Sequence, residues 1–400
     1  MSPRLAIDGG TPVRDSFLAF GAPSIGEAEI AEVVDTLRSG WIGTGPKTLR
    51  FEAALADYVG AEHAVSVSSC TAGLFLSLLA SGIGPGDEVI TTPLTFGATA
   101  NVIVHVGATP VFADVDPVSL NIDPVAIEAA ITPRTRAIIP VHYGGLACDM
   151  LAIEALAERH GLTVVEDAAH AIGSRHRGRM IGASGNPTCF SFYPNKNITT
   201  GEGGAIMTND AALAERLEVY RLHGLSRHAW QRYSSRRLML SDVVLPGYKH
   251  NMTDLQAALG IHQLARLEDF LAIREAYADR YDAAFAGMPG VSLQPRPDDP
   301  ADRHALHLYV LILDPAAFTM DRNAIVEALL AENIGAAIHY RAVHTHPYYR
   351  EAYGYRHEDF PVAASLGDHM LSLPLTAGMS PADAADVIEA VRRVLGSYRR

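Results

Sequence analysis

One lysine stands at the junction of two contrasting segments of this chain. Lys196 follows the apolar run at residues 189–192 and precedes the glycine-rich turn at 201–204. Upstream, Asp167 ends a second apolar run that begins at residue 162. A lysine amine can form a Schiff base with a carbonyl compound, and a buried aspartate can keep a pyridine nitrogen protonated. Each residue alone is more typical of a turn or a strand end, but together they predict pyridoxal phosphate (PLP) chemistry.

A phosphate-binding loop is predicted further upstream. Residues 66–73 read Ser-Val-Ser-Ser-Cys-Thr-Ala-Gly and pass from a strand into a helix. A helix N-terminus offers unpaired backbone N–H groups and the positive end of the helix dipole, which favour an anion. An ordinary helix capped by serine or threonine remains the alternative interpretation.

Two more side chains lie at the ends of predicted strands. Phe96 follows a strand and can stack on a flat cofactor ring, although a place in the core is the alternative. His170, three residues after Asp167, can hydrogen-bond a ring oxygen or serve as a structural histidine. Both residues therefore join the candidate cofactor site.

The elements that must position these residues alternate along the chain between residues 62 and 209. Apolar runs at 64–67, 88–91, 110–113, 137–141 and 162–166 alternate with helical patterns. This alternation predicts an α/β fold with a mostly parallel central sheet covered on both faces. Ligands of such sheets bind at the carboxyl ends of the strands, where the candidate residues occur.

The C-terminal part predicts a smaller α/β unit. We expect one long helix from Thr253 to about Phe285, strands at 307–313 and 336–340, and helices at 321–332 and 381–395. The predicted division is a large PLP-binding domain at 1–250 and a small domain at 251–400. The segment 226–247 reads as an irregular loop, either solvated or part of an active site or dimer contact, and it carries Arg227, Arg232, Arg236 and Arg237.

The composition excludes several classes of function. The 400 residues carry a net charge of -13, which argues against a nucleic-acid partner but not against a small anionic ligand. The three cysteines form no CxxC pair, and His344 and His346 have no supporting carboxylates, so we expect no disulfide framework and no metal site. No apolar run has the length of a membrane span, which favours a cytoplasmic protein. No glycine fingerprint follows the first strand, which argues against an NAD-dependent oxidoreductase.

The ordered set of motifs resembles the DegT/StrS family of nucleotide-sugar aminotransferases, which are fold-type I, aspartate-aminotransferase-like PLP enzymes. The resemblance extends from Gly40 to the last helix. Within the family, several motifs are similar to the branch that makes UDP-4-amino-4-deoxy-L-arabinose, which has tryptophan in place of Phe96. The motifs that carry the resemblance are residues 68–73, 94–96, 140–144, 166–170, 191–204 and 247–254.

The resemblance implies a role for each candidate residue. Lys196 is the Schiff-base lysine, Asp167 is the partner of the pyridinium, and His170 completes the catalytic set. The cofactor would be held by the backbone at Thr71 and Ala72, the ring of Phe96, the hydroxyl of Ser191, and Asn251 from a second subunit. The family thereby implies a homodimer with shared active sites, in which His339 also comes from the second subunit.

The implied reaction has two halves. L-glutamate would give its amino group to the cofactor, leaving pyridoxamine phosphate (PMP). PMP would then aminate the C4 ketone of a nucleotide-linked sugar, with UDP as the expected nucleotide, for a cell-surface polysaccharide or glycan. Cations for the diphosphate are expected at Lys47, Lys249 and Arg341, with Arg350 as a further candidate, although a solvated surface is the alternative for all four.

Three alternatives stay open from the sequence. One is amination of a 3-keto sugar or a keto-inositol for antibiotic synthesis. Another is a catalytically silent regulatory protein of the same fold, against which the intact Lys196 and Asp167 argue. The third is sugar dehydration at C3, but relatives in that branch carry histidine in place of Lys196.

Overall fold

The structure is a computed structural model that describes residues 4–226 and 241–400. The predicted irregular loop falls partly in the interval between these ranges. Arg227, Arg232, Arg236 and Arg237 therefore lie outside the described residues.

The central sheet is built by strands between residues 63 and 208. Its strands are β1 (His63–Val67), β2 (Glu88–Thr91), β3 (Thr109–Phe112), β4 (Thr135–Ile139), β5 (Thr163–Val164), β6 (Glu166–Asp167), β9 (Thr188–Ser191) and β10 (Gly204–Thr208). The hairpin strands β7 (Arg175–His176) and β8 (Arg179–Met180) pair separately.

Two hydrogen-bonded sets make up this sheet. The first has the order β3-β2-β4-β5 and is parallel throughout, and the second has the order β1-β10-β9-β6. They are continuous across residues 163–167, because the N–H of Val165 donates to Ile138 and Val141 bridges Asp167 in parallel. Strand β10 runs antiparallel to β1 and β9, whereas β6 and β9 are parallel. The predicted α/β fold with a mostly parallel sheet is confirmed.

Helices cover the sheet and build the C-terminal part. Those before residue 226 are α1 (Glu27–Ser39), α2 (Pro46–Val59), α3 (Cys70–Ala80), α4 (Gly97–His105), α5 (Pro124–Ala130), α6 (Met150–His160) and α7 (Ala211–Arg221). The later helices are α8 (Asp254–Ala265), α9 (Leu267–Phe285), α10 (Arg322–Ala331), α11 (Pro347–Tyr353), α12 (Pro361–His369) and α13 (Pro381–Tyr398). None of the helices in the described ranges has both the length and the apolar character that a membrane crossing requires.

The C-terminal unit has a sheet and a core of its own. Its antiparallel sheet has the order β11 (Val291–Leu293), β12 (Tyr309–Leu313) and β13 (Met370–Leu373). Leu5 packs into the same core, so the chain's beginning joins the C-terminal unit. Helix α8 instead packs against the large sheet, where Ala257 and Ile261 share a core with Phe51. The division at residue 250 stays a prediction.

Two predicted C-terminal elements differ from the structure. The long helix from Thr253 to Phe285 is interrupted at Arg266, whose φ of -102° and ψ of 1° lie outside the helical range. The guanidinium of Arg266 reaches Glu29 at 2.9 Å, and this contact accompanies the break. The strand expected at 336–340 is absent, because only Ala337 pairs with Ser372 before the chain turns toward the large sheet.

Candidate active site

The carboxyl ends of the parallel strands meet at one cavity of about 410 Å³. Strands β1, β2, β6 and β9 each lead directly into a segment that contributes to its wall. Each segment brings one candidate group: the N-terminus of α3, Phe96, His170 and Lys196. The loops named in the sequence are therefore brought together by sheet topology, as the rule for ligand sites in such sheets predicts.

Lys196 lies in the wall of the cavity on the loop after β9. Its Nζ lies 3.3 Å from Nε2 of His307, and its backbone N–H donates to Tyr193 at 2.9 Å. Burial lowers the pKa of the amine to about 8, although Cys70 and Asp167 act in the opposite direction. An amine with this pKa is partly neutral near physiological pH, and only the neutral form can attack a carbonyl or accept a proton.

Asp167 presents its carboxylate to the cavity from the end of β6. The Thr99 hydroxyl donates to Oδ2 at 2.8 Å, and the Ala169 N–H donates to Oδ1 at 3.1 Å. Burial raises the pKa of Asp167 above its ordinary value, and these two donors offset the effect only in part. The carboxylate has no cationic partner among the described ion pairs, so it is suited to a cationic N–H group in the cavity.

His170 is held as a neutral side chain with a defined tautomer. The Gly144 N–H donates to Nδ1 at 3.2 Å, and Nε2 lies 3.0 Å from the Tyr340 hydroxyl. Burial, with smaller effects of Lys196 and His339, lowers the pKa of His170 well below its ordinary value. Because Nδ1 is an acceptor, the proton of the neutral ring is on Nε2, and Tyr340 accepts it.

The N-terminus of α3 closes another side of the cavity. Ser69 caps the helix, and its hydroxyl accepts from the Ala72 N–H at 3.1 Å. Thr71 and Ser191 line the cavity, whereas Ala72 lies just behind the wall. A Cβ at Gly204 would lie 2.6 Å from the backbone nitrogen of Cys70, so glycine is required for β10 to approach this helix end. The close approach shapes the small-residue cradle that the sequence predicted.

The mouth of the cavity carries two of the predicted side chains. Phe96 lines it with 64% of its surface exposed, which excludes the core interpretation and leaves a face for a planar ligand. His339 lines the cavity of its own chain, where it lies 3.1 Å from Ser372. The resemblance placed His339 on the second subunit, but the single chain already brings it to Lys196.

The other predicted residues lie away from the cavity wall. Asn251 donates to Thr44 at 2.6 Å and accepts from Lys249 at 2.7 Å. Lys47 pairs with Glu32 and Asp35 at 2.9 and 2.7 Å.

The two arginine candidates are also outside the wall. Arg341 donates to the carbonyl and hydroxyl of Thr345, and its side chain is exposed. Arg350 is exposed on α11. Neither meets Lys196 in the single chain.

Three contacting residues were not predicted from the sequence. Thr99 bonds Asp167, Tyr340 bonds His170, and His307 contacts Lys196. Thr99 lies three residues after Phe96, which is a signal that helical spacing offers. His307 and Tyr340 come from the C-terminal unit and carry no local signal, because distant segments bring them to the site.

The donor set of the cavity fits PLP. It combines an amine of lowered pKa, a buried carboxylate without a cation, a helix N-terminus for a phosphate and an exposed aromatic face. Each matches one part of the cofactor: the aldehyde, the pyridine nitrogen, the phosphate and the ring.

Comparisons with known proteins agree with this geometry. Residues 23–392 match the DegT/DnrJ/EryC1/StrS aminotransferase family. The chain is 54% identical over 383 residues to the spore coat polysaccharide biosynthesis protein SpsC of Bacillus subtilis, covering 96% of this chain and 98% of SpsC.

Solved structures show the same relationship. The PLP form of Spr1654 from Streptococcus pneumoniae, assigned as a sugar aminotransferase, is 34% identical with a TM-score of 0.88, covering 95% of this chain and 99% of that one. PseC of Helicobacter pylori, an aminotransferase involved in the biosynthesis of pseudoaminic acid, is 29% identical with a TM-score of 0.88, covering 96% and 100%. The chain therefore belongs to the DegT/DnrJ/EryC1/StrS aminotransferase family and is a PLP-dependent sugar aminotransferase.

Proposed function

We propose that this enzyme transfers the amino group of L-glutamate to the C4 ketone of a nucleotide-linked sugar, with UDP as the first nucleotide to test. The product would be a 4-amino sugar for a cell-surface polysaccharide or glycan. The observation that carries the proposal is the convergence of Lys196, Asp167 and the α3 N-terminus on one cavity. The similarity to SpsC, named for spore coat polysaccharide biosynthesis, and to PseC, an aminotransferase involved in the biosynthesis of pseudoaminic acid, supports this substrate class.

The residues divide the chemistry among themselves. When bound, PLP supplies an electron sink that stabilises negative charge at the carbon losing its proton. Asp167 would hold the proton on the pyridine nitrogen, and the Thr99 hydroxyl, which donates to Oδ2, fixes the orientation of the carboxylate. The N–H groups at the start of α3 and the Ser191 hydroxyl would bind the phosphate, and Phe96 would cover one face of the ring.

Lys196 moves the proton in both halves of the reaction. Its neutral amine would take the Cα proton of glutamate and pass it to the cofactor carbon, and in the second half it would move a proton from that carbon to C4 of the sugar. A pKa of about 8 places both forms within reach near neutral pH. Lys196 is half-buried, so the side chain is partly shielded from water.

The first test is spectroscopic. Purified protein with PLP should show the visible band of a lysine-bound cofactor, and L-glutamate should convert it to the PMP spectrum. Lys196→Ala should bind PLP without the lysine-bound band. A wild-type protein that shows no cofactor band would instead support the alternative hypothesis of a catalytically silent regulatory protein.

A keto-sugar panel identifies the acceptor. PMP-loaded enzyme is mixed in single turnover with a nucleotide-linked 4-keto sugar, a 3-keto isomer or a keto-inositol, and return of the lysine-bound band is recorded. Fast return with the 4-keto sugar alone supports the proposal. Fast return with the 3-keto sugar or the keto-inositol alone would replace it, and UDP- against dTDP-linked sugars would fix the nucleotide.

We also propose that the enzyme acts as a homodimer in the cytoplasm, with Asn251 reaching the phosphate of the partner's site. Asn251 lies outside the cavity wall of its own chain and beside Lys249, which supports a role across an interface. Ile42 and Leu49 are exposed near the start of α2 and offer apolar contact area. The three cysteines are buried free thiols, which supports a reducing compartment.

Hybrid dimers test the shared site. Lys196→Ala and Asn251→Ala dimers are separately inactive or weak, and subunit exchange gives hybrids with one native site each. Mixing should restore about a quarter of the wild-type activity, because half of the dimers are hybrids with one competent site of two. Activity that stays at the mean of the two parents would place Asn251 in its own subunit's site or outside both.

A further inference from the structure

Lys196 contacts a histidine from a distant part of the chain. Nε2 of His307 lies 3.3 Å from Nζ of Lys196, across 111 residues of sequence. His307 is buried, with 4% of its surface exposed, and lies two residues before β12 of the C-terminal unit. It is not among the residues that line the cavity, but its ring packs against that of His170, which lines the cavity, with the ring centroids 4.4 Å apart.

The contact supplies the amine with a neutral partner. Burial first, and then the charge of Lys196, lower the pKa of His307 well below its ordinary value, so its ring is neutral. An ammonium can only donate, so Nε2 of His307 accepts from it whenever the amine is charged, and the ring proton is then on Nδ1, which is buried without a hydrogen-bond partner among the described residues. Among the described side chains, no carboxylate forms an ion pair with Lys196, which leaves His307 as its hydrogen-bond partner.

Other titratable groups surround the pair without replacing this contact. Asp167 and Cys70 favour the charged amine through space, while His170 and His339 are kept neutral by burial. Behind His307, the buried Arg274 donates to the carbonyls of Leu306 and Leu375. The charge of Arg274 opposes protonation of His307, so it helps to keep the ring an acceptor.

We propose that His307 is a positioning residue that holds the free amine of Lys196 whenever the lysine is not attached to the cofactor. The role rests on the lysine chemistry given under Proposed function. During each half-reaction the lysine is released and must later return to the same carbon. A fixed hydrogen-bond partner limits the amine to one orientation and so shortens the search that precedes reattachment.

The first test uses apoprotein and needs no reaction. Labelling of Lys196 by acetic anhydride is followed by peptide mass spectrometry across pH, and its midpoint reports the amine's pKa. His307→Leu removes the acceptor of the ammonium, so the midpoint should fall by about one unit, the equivalent of one hydrogen bond. His307→Gln carries an amide oxygen near the position of Nε2 and should restore the wild-type midpoint.

Matched variants separate this effect from loss of structure. His344→Leu makes the same change at a buried histidine whose Nε2 contacts the carbonyl of His357, and it should leave the midpoint unchanged. If His307→Leu does not fold, His307→Asn replaces it, because its shorter amide ends near Nδ1 and cannot reach Lys196. A midpoint within about 0.3 unit of wild type in the Leu or Asn variant would overturn the proposal.

Reattachment gives the second readout. PLP added to His307→Leu apoprotein should form the lysine-bound band about tenfold more slowly, with PLP affinity unchanged in Lys196→Ala backgrounds with and without the substitution. An unchanged rate overturns the positioning role. If the labelling midpoint shifts but the protein aminates no keto sugar, the proposed substrate is wrong. The role of His307 is then still supported.

Discussion

The carboxylates of Glu166 and Asp167 are neighbours on β6, but they face opposite sides of the sheet and have different hydrogen-bond partners. Glu166 points away from the cavity, where His142, Ser184 and Asn186 contact its oxygens at 3.0, 2.6 and 3.1 Å. Burial alone would raise the pKa of Glu166, but these hydrogen bonds outweigh it and lower the pKa. Asp167 has one hydroxyl and one backbone donor at conventional distance, and its pKa is raised.

On this one strand, Glu166 contributes to stability and Asp167 is available for catalysis. Both carboxylates are buried, with 1% and 4% of their surfaces exposed. Both carboxylate oxygens of Glu166 have hydrogen-bond partners inside the protein, so its charge contributes to the stability of the fold. Asp167 has fewer hydrogen-bond donors, so its charge is available to a cationic ligand. The buried charge lowers the stability of the protein without a ligand. Changes on the cavity side should therefore lower activity, and changes on the other side should lower stability.

The largest effect is expected from Lys196→Ala on the cavity side. Transfer from glutamate should fall by at least about 1,000-fold, because both proton transfer and covalent attachment are lost. The thermal midpoint of unfolding should change little, and single-turnover spectra measure the rate. A variant that kept a tenth of the wild-type rate would remove Lys196 from the mechanism.

Asp167→Asn should lower the rate by about 100-fold, because an amide cannot hold the ring nitrogen protonated. The apoprotein should be no less stable than wild type, since the substitution removes an unpaired buried charge. Stopped-flow kinetics and urea unfolding measure the two quantities. Loss of stability without loss of rate would reverse the assignment of the two faces.

Glu166→Gln should have the opposite pattern. It brings the amide of Gln against that of Asn186 and removes charge-assisted hydrogen bonds, so the free energy of unfolding should fall by about 2 kcal/mol. The rate per folded, PLP-loaded molecule should stay within about twofold of wild type, because Glu166 faces away from the cavity. Urea unfolding with active-site titration checks both values. A large loss of rate at full occupancy would show that the two faces are coupled.

The smallest effect concerns pH and stability. The pKa of Lys196 is lowered to about 8 in the folded apoprotein from 10.5, so the unfolded chain binds more protons between these values. The stability of wild type relative to Lys196→Met should therefore rise as the pH goes from about 8 to about 10.5. Unfolding curves at several pH values measure this difference, and a flat or falling difference would show that the amine is not desolvated.

The sequence predicted the strands of the large sheet and the reactive groups at their ends. The strands are confirmed, because alternating apolar runs are local signals, and strand direction then brings the loops at their ends together. The roles of the groups in those loops stay predictions. The prediction from sequence was wrong for the helix through Arg266, whose side chain contacts Glu29, and for the strand at 336–340, where among the described residues only Ala337 forms a bridge, with Ser372. Tertiary contacts override local propensity at such positions.

By itself the sequence determined the strands of the large sheet, and it predicted which groups react: one lysine, one strand-end aspartate and a capped helix end for a phosphate. The tertiary structure decided the contacts and the pKa values of these groups. It placed His307 against Lys196 and His339 in the cavity of its own chain, and it gave Glu166 the partners that Asp167 lacks. These states depend on desolvation and on partners from distant segments, because a pKa is set by the space around a group rather than by its neighbours in sequence.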